Sequence, residues 1–226
     1  MPPVAVAGLN TRRNFLLDSN LVLYLPLWDS RLKSSPIISQ DIYSHSCSVN
    51  GAIWTPQGRA FDGDDDYIEV TCPQLNFTTG DFSGAIWVKF DAIGNHNYLI
   101  SRGLIVTDGW YFDVETGGYL EINTSQAGVN QQTYGTAGLV TTGSWLCLGF
   151  TRSGAACRVY KNGVDITAGS GTHVNPLTSA RTLKIGVDDN LTNDFDGEIG
   201  EVYIPSRALI VGEHLGYYNS TKWRYN

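Results

Sequence analysis

Charge is scarce in this chain. Asp, Glu, Lys and Arg make up 16% of the 226 residues, and the balance is negative, 15 Lys and Arg against 22 Asp and Glu. A sparse, acidic surface argues against a nucleic-acid partner and against anionic membranes. No apolar run reaches the length of a bilayer span, so membrane insertion is not expected. The four cysteines (Cys47, Cys72, Cys147, Cys157) are too scattered for a disulfide scaffold and show no C-x-x-C zinc spacing. Cys147 and Cys157 fall on neighbouring strands of a predicted hairpin, where a bridge is conceivable, but small buried thiols are the expectation. The four histidines (His45, His96, His173, His214) form no H-E-x-x-H, and no G-x-S-x-G elbow occurs. A cleavable leader is not expected either: in M-P-P-V-A-V-A-G-L-N-T-R-R-N the basic pair follows the short apolar run instead of preceding it.

What is plentiful points to strands. Hydrophobic residues reach 42% and glycines number 25, a globular composition that favours strands and turns over helices. Period-two alternation predicts strands at Leu21–Leu27, Ala52–Thr55, Ala60–Phe61, Tyr67–Val70, Gly84–Phe90, Asn97–Arg102, Trp110–Glu115 and Tyr119–Thr124. Further strands are predicted at Ser144–Arg152, Ala156–Lys161, Val164–Ile166, Thr182–Val187 and Asp196–Ile204. Trp28–Asn50, Thr71–Phe82 and Gly135–Gly143 read as loops. Gly117-Gly118 signals a hairpin, and Asn162-Gly163 a type I′ turn. Only Arg207–Tyr218 has a helical spacing. The sum is an all-β chain, a sandwich of two antiparallel sheets with one short C-terminal helix. No repeat or linker divides it, so residues 21–226 are expected to be one domain and residues 1–20 an N-terminal arm.

Two acidic loops stand out. Asp62, Asp64, Asp65 and Asp66 crowd into F-D-G-D-D-D-Y-I-E-V. Asp188, Asp189, Asn190, Asp194 and Asp196 lie in the second. Oxygen-only clusters suit Ca²⁺, and loops remote in sequence can meet at one rim of a sandwich. Asp62, Asp64, Asp66, Asp194 and Asp196 are therefore the candidate ligands of a structural Ca²⁺, with Asp29 a further candidate. The alternative is a set of solvated Asx turns. The Asp62-x-Asp64-x-Asp66 spacing is not an EF-hand, because Tyr67 stands where that loop needs glycine and Pro73 where it needs a bidentate Glu.

Five stretches occur in a telling order: L-V-L-Y-L-P-L-W-D, F-D-G-D-D-D-Y-I-E-V, G-D-F-S-G-A-I-W-V-K-F, G-S-W-L-C-L-G-F-T-R-S-G-A-A-C-R-V-Y-K-N-G-V and F-D-G-E-I-G-E-V-Y-I-P-S-R-A-L. Together, over Leu21 to Tyr218, they resemble the laminin-G-like branch of the concanavalin A-like lectin/glucanase superfamily. The resemblance implies a jelly-roll sandwich with a concave front sheet, a convex back sheet and often a bound Ca²⁺. It leaves lectins, carbohydrate-binding modules, adhesion domains, glycosidases and virion parts open.

For sugar binding, an aromatic face must stack on a pyranose, with polar side chains to read its hydroxyls. Trp87, Trp110, Tyr111 and Tyr119 are the candidate carbohydrate-binding residues, with Tyr98, Gln131 and Tyr134 near the same face. The competing reading is that aromatics in a two-sheet protein fill its core. Hydrolysis is not expected. The glucanase strand motif E-x-D-x-x-E is missing, and its nearest counterpart, Glu198-Ile-Gly-Glu201, has an odd spacing that sends the two side chains to opposite faces unless a bulge intervenes. No facing acid pair is expected in the groove. The expected function is a non-catalytic binding or adhesion module, carbohydrate-binding and displayed on a virion or extracellular assembly. A purely structural virion or appendage subunit, a homo-oligomer assembled through residues 1–20, is the alternative, and a glycoside hydrolase the third reading.

Overall fold

Alternation of apolar and polar side chains builds several of the strands, among them β6 Tyr67–Val70 and β10 Tyr119–Gln126. The computed structural model describes residues 15–225. Its strands, in chain order, are β1 Leu21–Pro26, β2 Ile37–Ile38, β3 Ser46–Asn50, β4 Ile53–Thr55, β5 Gly58–Asp62 and β6 Tyr67–Val70. Then come β7 Phe82–Phe90, β8 His96–Arg102, β9 Trp110–Glu115, β10 Tyr119–Gln126, β11 Val129–Gly135 and β12 Trp145–Ser153. The last are β13 Ala156–Lys161, β14 Val164–Asp165, β15 Thr167–Ser170, β16 Leu183–Ile185 and β17 Asp196–Pro205, followed by helix α1 at Val211–Thr221.

These strands form two sheets. An eight-stranded sheet runs β14-β13-β12-β7-β17-β5-β4, with β1 also paired to β17, and a nine-stranded sheet runs β15-β11-β10-β9-β8-β16-β6-β3-β2. Each named strand pairing is antiparallel. The two-sheet sandwich and the C-terminal helix are as the sequence predicts. Trp28–Asn50, predicted to be a loop, contains β2 and β3, and β11 and β15 escape the pattern. V-N-Q-Q-T-Y-G is polar on both faces, so β11 takes its identity from backbone pairing with β10.

Ile86, Val88 and Phe90 of β7 point between the sheets and join Leu148, Phe150, Trp110, Phe112 and Ile122 in the main core. The alternate residues, Ala85 and Trp87, point outward and meet Tyr203, Leu209, Tyr217 and Tyr225 in a second apolar layer. Helix α1 and the C-terminal turn cover that outer face of the eight-stranded sheet. The Asn162-Gly163 turn has the two positive φ values of type I′, 51° and 78°. A Cβ on Gly163 would lie 2.5 Å from Leu215 Cα, so glycine also lets the helix approach. All four cysteines are buried and free. Cys147 belongs to the outer layer and Cys157 to the main core, opposite sides of one sheet, which is why no bridge joins them.

Of the N-terminal arm, residues 1–14 lie outside the described residues. Phe15 packs edge-on against Tyr203 and Tyr217, and Asp18 pairs with Arg207 at 2.7 Å.

Candidate functional site

No helix packs on the outer face of the nine-stranded sheet among the described residues, and that face collects polar and aromatic side chains in rows set by strand register. Tyr134 of β11 stands opposite Glu121 of β10, Glu121 opposite Asp113 of β9, and Asp113 opposite Tyr98 of β8. The neighbouring row runs Gln132, Asn123, Tyr111, Ser101, Lys184 and Glu69. A third joins Tyr119, Glu115 and His96. With strands about 4.8 Å apart, Tyr98 and Tyr134 bracket roughly 14 Å of sheet.

The centre of this face is a buried polar network. Asp113 and Glu121 are 0% and 3% exposed. His96 Nδ1 lies 3.1 Å from Asp113 Oδ2. Asn123 Nδ2 donates to both carboxylates, at 3.4 Å to Asp113 and 3.5 Å to Glu121. Gln132 donates to Glu121, and Asn130 Nδ2 to the side-chain oxygen Oδ1 of Asn123 at 3.0 Å. Burial pushes the Asp113 carboxyl up to about 6 against the pull of His96. Burial and the neighbouring Asp113 push Glu121 up to about 7. The hydrogen bond to Asp113 in turn raises His96. Near neutral pH this cluster holds a proton that two carboxylates in water would not. Tyr98 and Tyr111 flank it with ring centroids 5.2 Å apart, and Tyr119 meets Tyr134 edge-on at 6.3 Å.

Several sequence expectations are corrected here. Trp87 is 2% exposed, stacked on Tyr225 at 4.4 Å, with its indole N–H given to Thr221. Trp110 is 0% exposed in the core, donating to the Leu75 carbonyl. Neither ring can offer a face to a sugar, because alternation turned Trp110 inward and the C-terminal segment closed over Trp87. Tyr111 lies on the nine-stranded face but is buried among its neighbours, while Tyr119 is half-exposed there. Gln131 faces the other way and accepts from Thr124.

A facing acid pair does exist, contrary to expectation. Asp113, Glu121, Asn123 and His96 were missed, although Y-L-E-I-N-T-S alternates so regularly that Glu121 and Asn123 must share a face. The Glu198–Glu201 expectation also changes. A bulge between Ile199 and Glu201 restores the phase, so Glu198 stands opposite Lys89 and Glu201 opposite Trp87 on one face. Both are already engaged. Glu198 pairs with Lys89 at 2.9 Å, and Glu201, 0% exposed, accepts from Tyr24, Trp28, Tyr217 and Arg224.

The two acidic loops meet at one rim, where Asp62 and Asp196 are register partners on β5 and β17. Oxygens of Asp62, Asp65 and Asp66 lie within 4.8 Å of one another. Asp65 takes the place expected of Asp64, whose backbone N–H instead donates to Asp62. Burial and the surrounding carboxylates push Asp194 up to about 6, and burial with Asp91 and Asp62 raises Asp196. An all-oxygen donor set under mutual repulsion fits a hard cation such as Ca²⁺. Asp29 does not join it, since Arg31 and Gln40 occupy its carboxylate. Asp188 closes its own loop by accepting from Thr192 and Asn193.

A laminin-G family model, described as concanavalin A-like lectin/glucanases superfamily, matches residues 62–213, more than half of the chain. The chain belongs to this superfamily. No curated protein sequence matches it. Among solved structures it is similar to botulinum neurotoxin type C, which depends for entering cells upon interaction with two ganglioside molecules (TM-score 0.67, 13% identity, 89% of this chain and 51% of that one). It is also similar to the ligand binding domain of botulinum neurotoxin serotype D in complex with N-acetylneuraminic acid (TM-score 0.69, 14% identity, 89% and 51%). The binding domain of Paraclostridial Mosquitocidal Protein 1 is a third (TM-score 0.66, 16% identity, 89% and 52%). At these identities the likeness is one of fold, and this chain spans about half the length of each of those structures.

Proposed function

We propose that the chain is a non-catalytic carbohydrate-binding module, displayed on a virion or other extracellular assembly, whose ligand lies across the outer face of the nine-stranded sheet. The observation that carries this reading is the accessible edge of that face, where Tyr134 and Tyr119 meet edge-on beside Gln132 above the buried Asp113–Glu121 pair. Rings stack on the apolar side of a pyranose, and side-chain amides such as Gln132 read its hydroxyls. Superfamily membership and the glycan ligands of the similar toxin structures support it. The test is retention on a glycan array. Tyr134 is 38% exposed and Tyr119 and Gln132 are half-exposed, so Tyr134→Ala, Tyr119→Ala and Gln132→Ala leave the core intact. Their combination should abolish retention, and undiminished retention by a folded triple variant would end the reading.

One observation favours a second reading, glycoside hydrolysis: the acid pair itself. Directly opposed residues on adjacent strands have Cβ atoms about 5 Å apart, close to the separation that retaining glycosidases use. Binding is preferred because both carboxylates are buried and held by Asn123, whereas a hydrolytic pair must straddle a bond of the substrate. Sugar release by the wild type that disappears in Glu121→Gln would reverse that preference.

We propose in addition that Asp62, Asp65 and Asp66 hold a structural Ca²⁺ at the acidic rim, with Asp194 and Asp196 close enough to feel its charge.

A further inference from the structure

Among the described residues, three arginines are buried to within 5% of full enclosure, and two of them are cross-links. Arg59 donates to the backbone carbonyls of Ala52, Leu32 and Lys33. Arg152 donates to the carbonyls of Thr78, Gly80 and His173 and to Asn175 Oδ1. Arg102 is different. All three leave Nε enclosed without a partner, but Arg102, 5% exposed, is the one whose guanidinium takes part in no hydrogen bond or ion pair among the described residues. Burying a charge is tolerable only with a partner, and this one has none among the described residues.

The surroundings do not supply a counter-ion. Cys72 lies beside Arg102, but burial holds its thiol at about 11, so it is neutral at pH 7. Asp108 acts on Arg102 only at longer range, and its carboxylate accepts from the Leu104 N–H at 3.0 Å and lies 3.9 Å from Arg181 Nε. What does adjoin Arg102 is a cavity of about 310 Å³ between the turn after β6 and the segment before β16. Thr71 and Thr178 line it, together with Arg181, whose guanidinium is already paired with Asp189. That volume is in the range of small-molecule sites.

We propose that this cavity binds a small oxyanion, with Arg102 as its anchor: the carboxylate of an acidic sugar, or a free sulfate or phosphate. A guanidinium presents parallel N–H donors in a planar fork that matches such groups. The ligand supplies the charge the protein omits, while the hydroxyls of Thr71 and Thr178 complete the shell. The cavity opens at the end of β8 and is separate from the tyrosine rows, so the site stands or falls independently of the glycan-binding reading.

The test is thermal melting of the whole chain in sodium sulfate, phosphate, glucuronate and N-acetylneuraminate, against sodium chloride at equal ionic strength. At least one oxyanion should raise Tm by about 2–4 °C more than chloride. A response to the sugar acids assigns the ligand to an acidic saccharide, and a response to sulfate or phosphate alone to the free ion. Arg102→Met should lose the effect, and without anion it should melt no lower than the wild type, because an uncompensated charge has gone. If that variant fails to fold, the Arg102 Nε–H resonance of the wild type gives the same answer by shifting on titration with the active anion. Wild-type melting that treats every oxyanion as chloride, a folded Arg102→Met that still responds, or a resonance that does not move would each overturn the proposal.

Discussion

Asp113 and Glu121 stand directly opposite each other on β9 and β10, and a single nitrogen, Nδ2 of Asn123, donates to both. Two buried carboxyls so placed cannot both ionise at neutral pH without cost. Glu121, raised to about 7 from 4.5, binds its proton more tightly in the folded chain than in the unfolded one. Its contribution is therefore favourable at low pH and is lost as pH rises from about 4.5 through 7. Glu121→Gln, permanently uncharged, should match the wild type in Tm near pH 4 and exceed it above pH 7. Melting curves across that range check this, and a constant difference between the two would show that Glu121 does not titrate there.

Trp87 separates stability from recognition. Its ring is enclosed by Tyr225 and Tyr218, so Trp87→Ala should cost about 3–5 kcal/mol by denaturant titration. Glycan retention by the fraction that remains folded should be unchanged, whereas Tyr134→Ala should show the reverse pattern.

The acidic rim predicts a metal-linked rise in stability. A hundredfold excess of Ca²⁺ over its Kd should raise Tm by about 5–10 °C, and Asp62→Asn with Asp66→Asn should remove the response. Binding must weaken as pH falls through about 6, where Asp194 takes up its proton. Calorimetric titration at pH 7.5 and 5.5 measures that loss, and equal affinities would exclude Asp194 from the site's field.

Two histidines oppose the acid pair in their pH dependence. His173 lies 2.8 Å from both Thr124 Oγ1 and Thr133 Oγ1. His214 stacks on Tyr160 at 3.9 Å and lies 2.9 Å from Thr151 Oγ1. Burial pushes them down to about 4 and about 3. The unfolded chain takes up these protons near 6.5 and the folded chain does not, so their contribution is lost as pH falls below 6.5. NMR titration should find both rings neutral at pH 5, and His214→Gln should flatten the acid limb of the stability curve.

Alternation was enough to place Ile86, Val88 and Phe90 on one side of β7 and Trp87 and Lys89 on the other, and the Asn162-Gly163 turn announced itself by residue type. Period two says which side chains share a face, because successive Cβ atoms must point apart. It does not say what covers that face. Trp87 reads as an exposed aromatic until Tyr225, far along the chain, stacks on it.

The two-sheet class and the two acidic loops were determined by sequence alone, since each depends on composition or on neighbours within a few residues. The pairing of Glu121 with Asp113, the bulge that turned Glu198 and Glu201 to one side, and the isolation of Arg102 were decided only in three dimensions. Strand register and burial are long-range properties: they arise from which backbones meet and what water is excluded, and no local pattern encodes either.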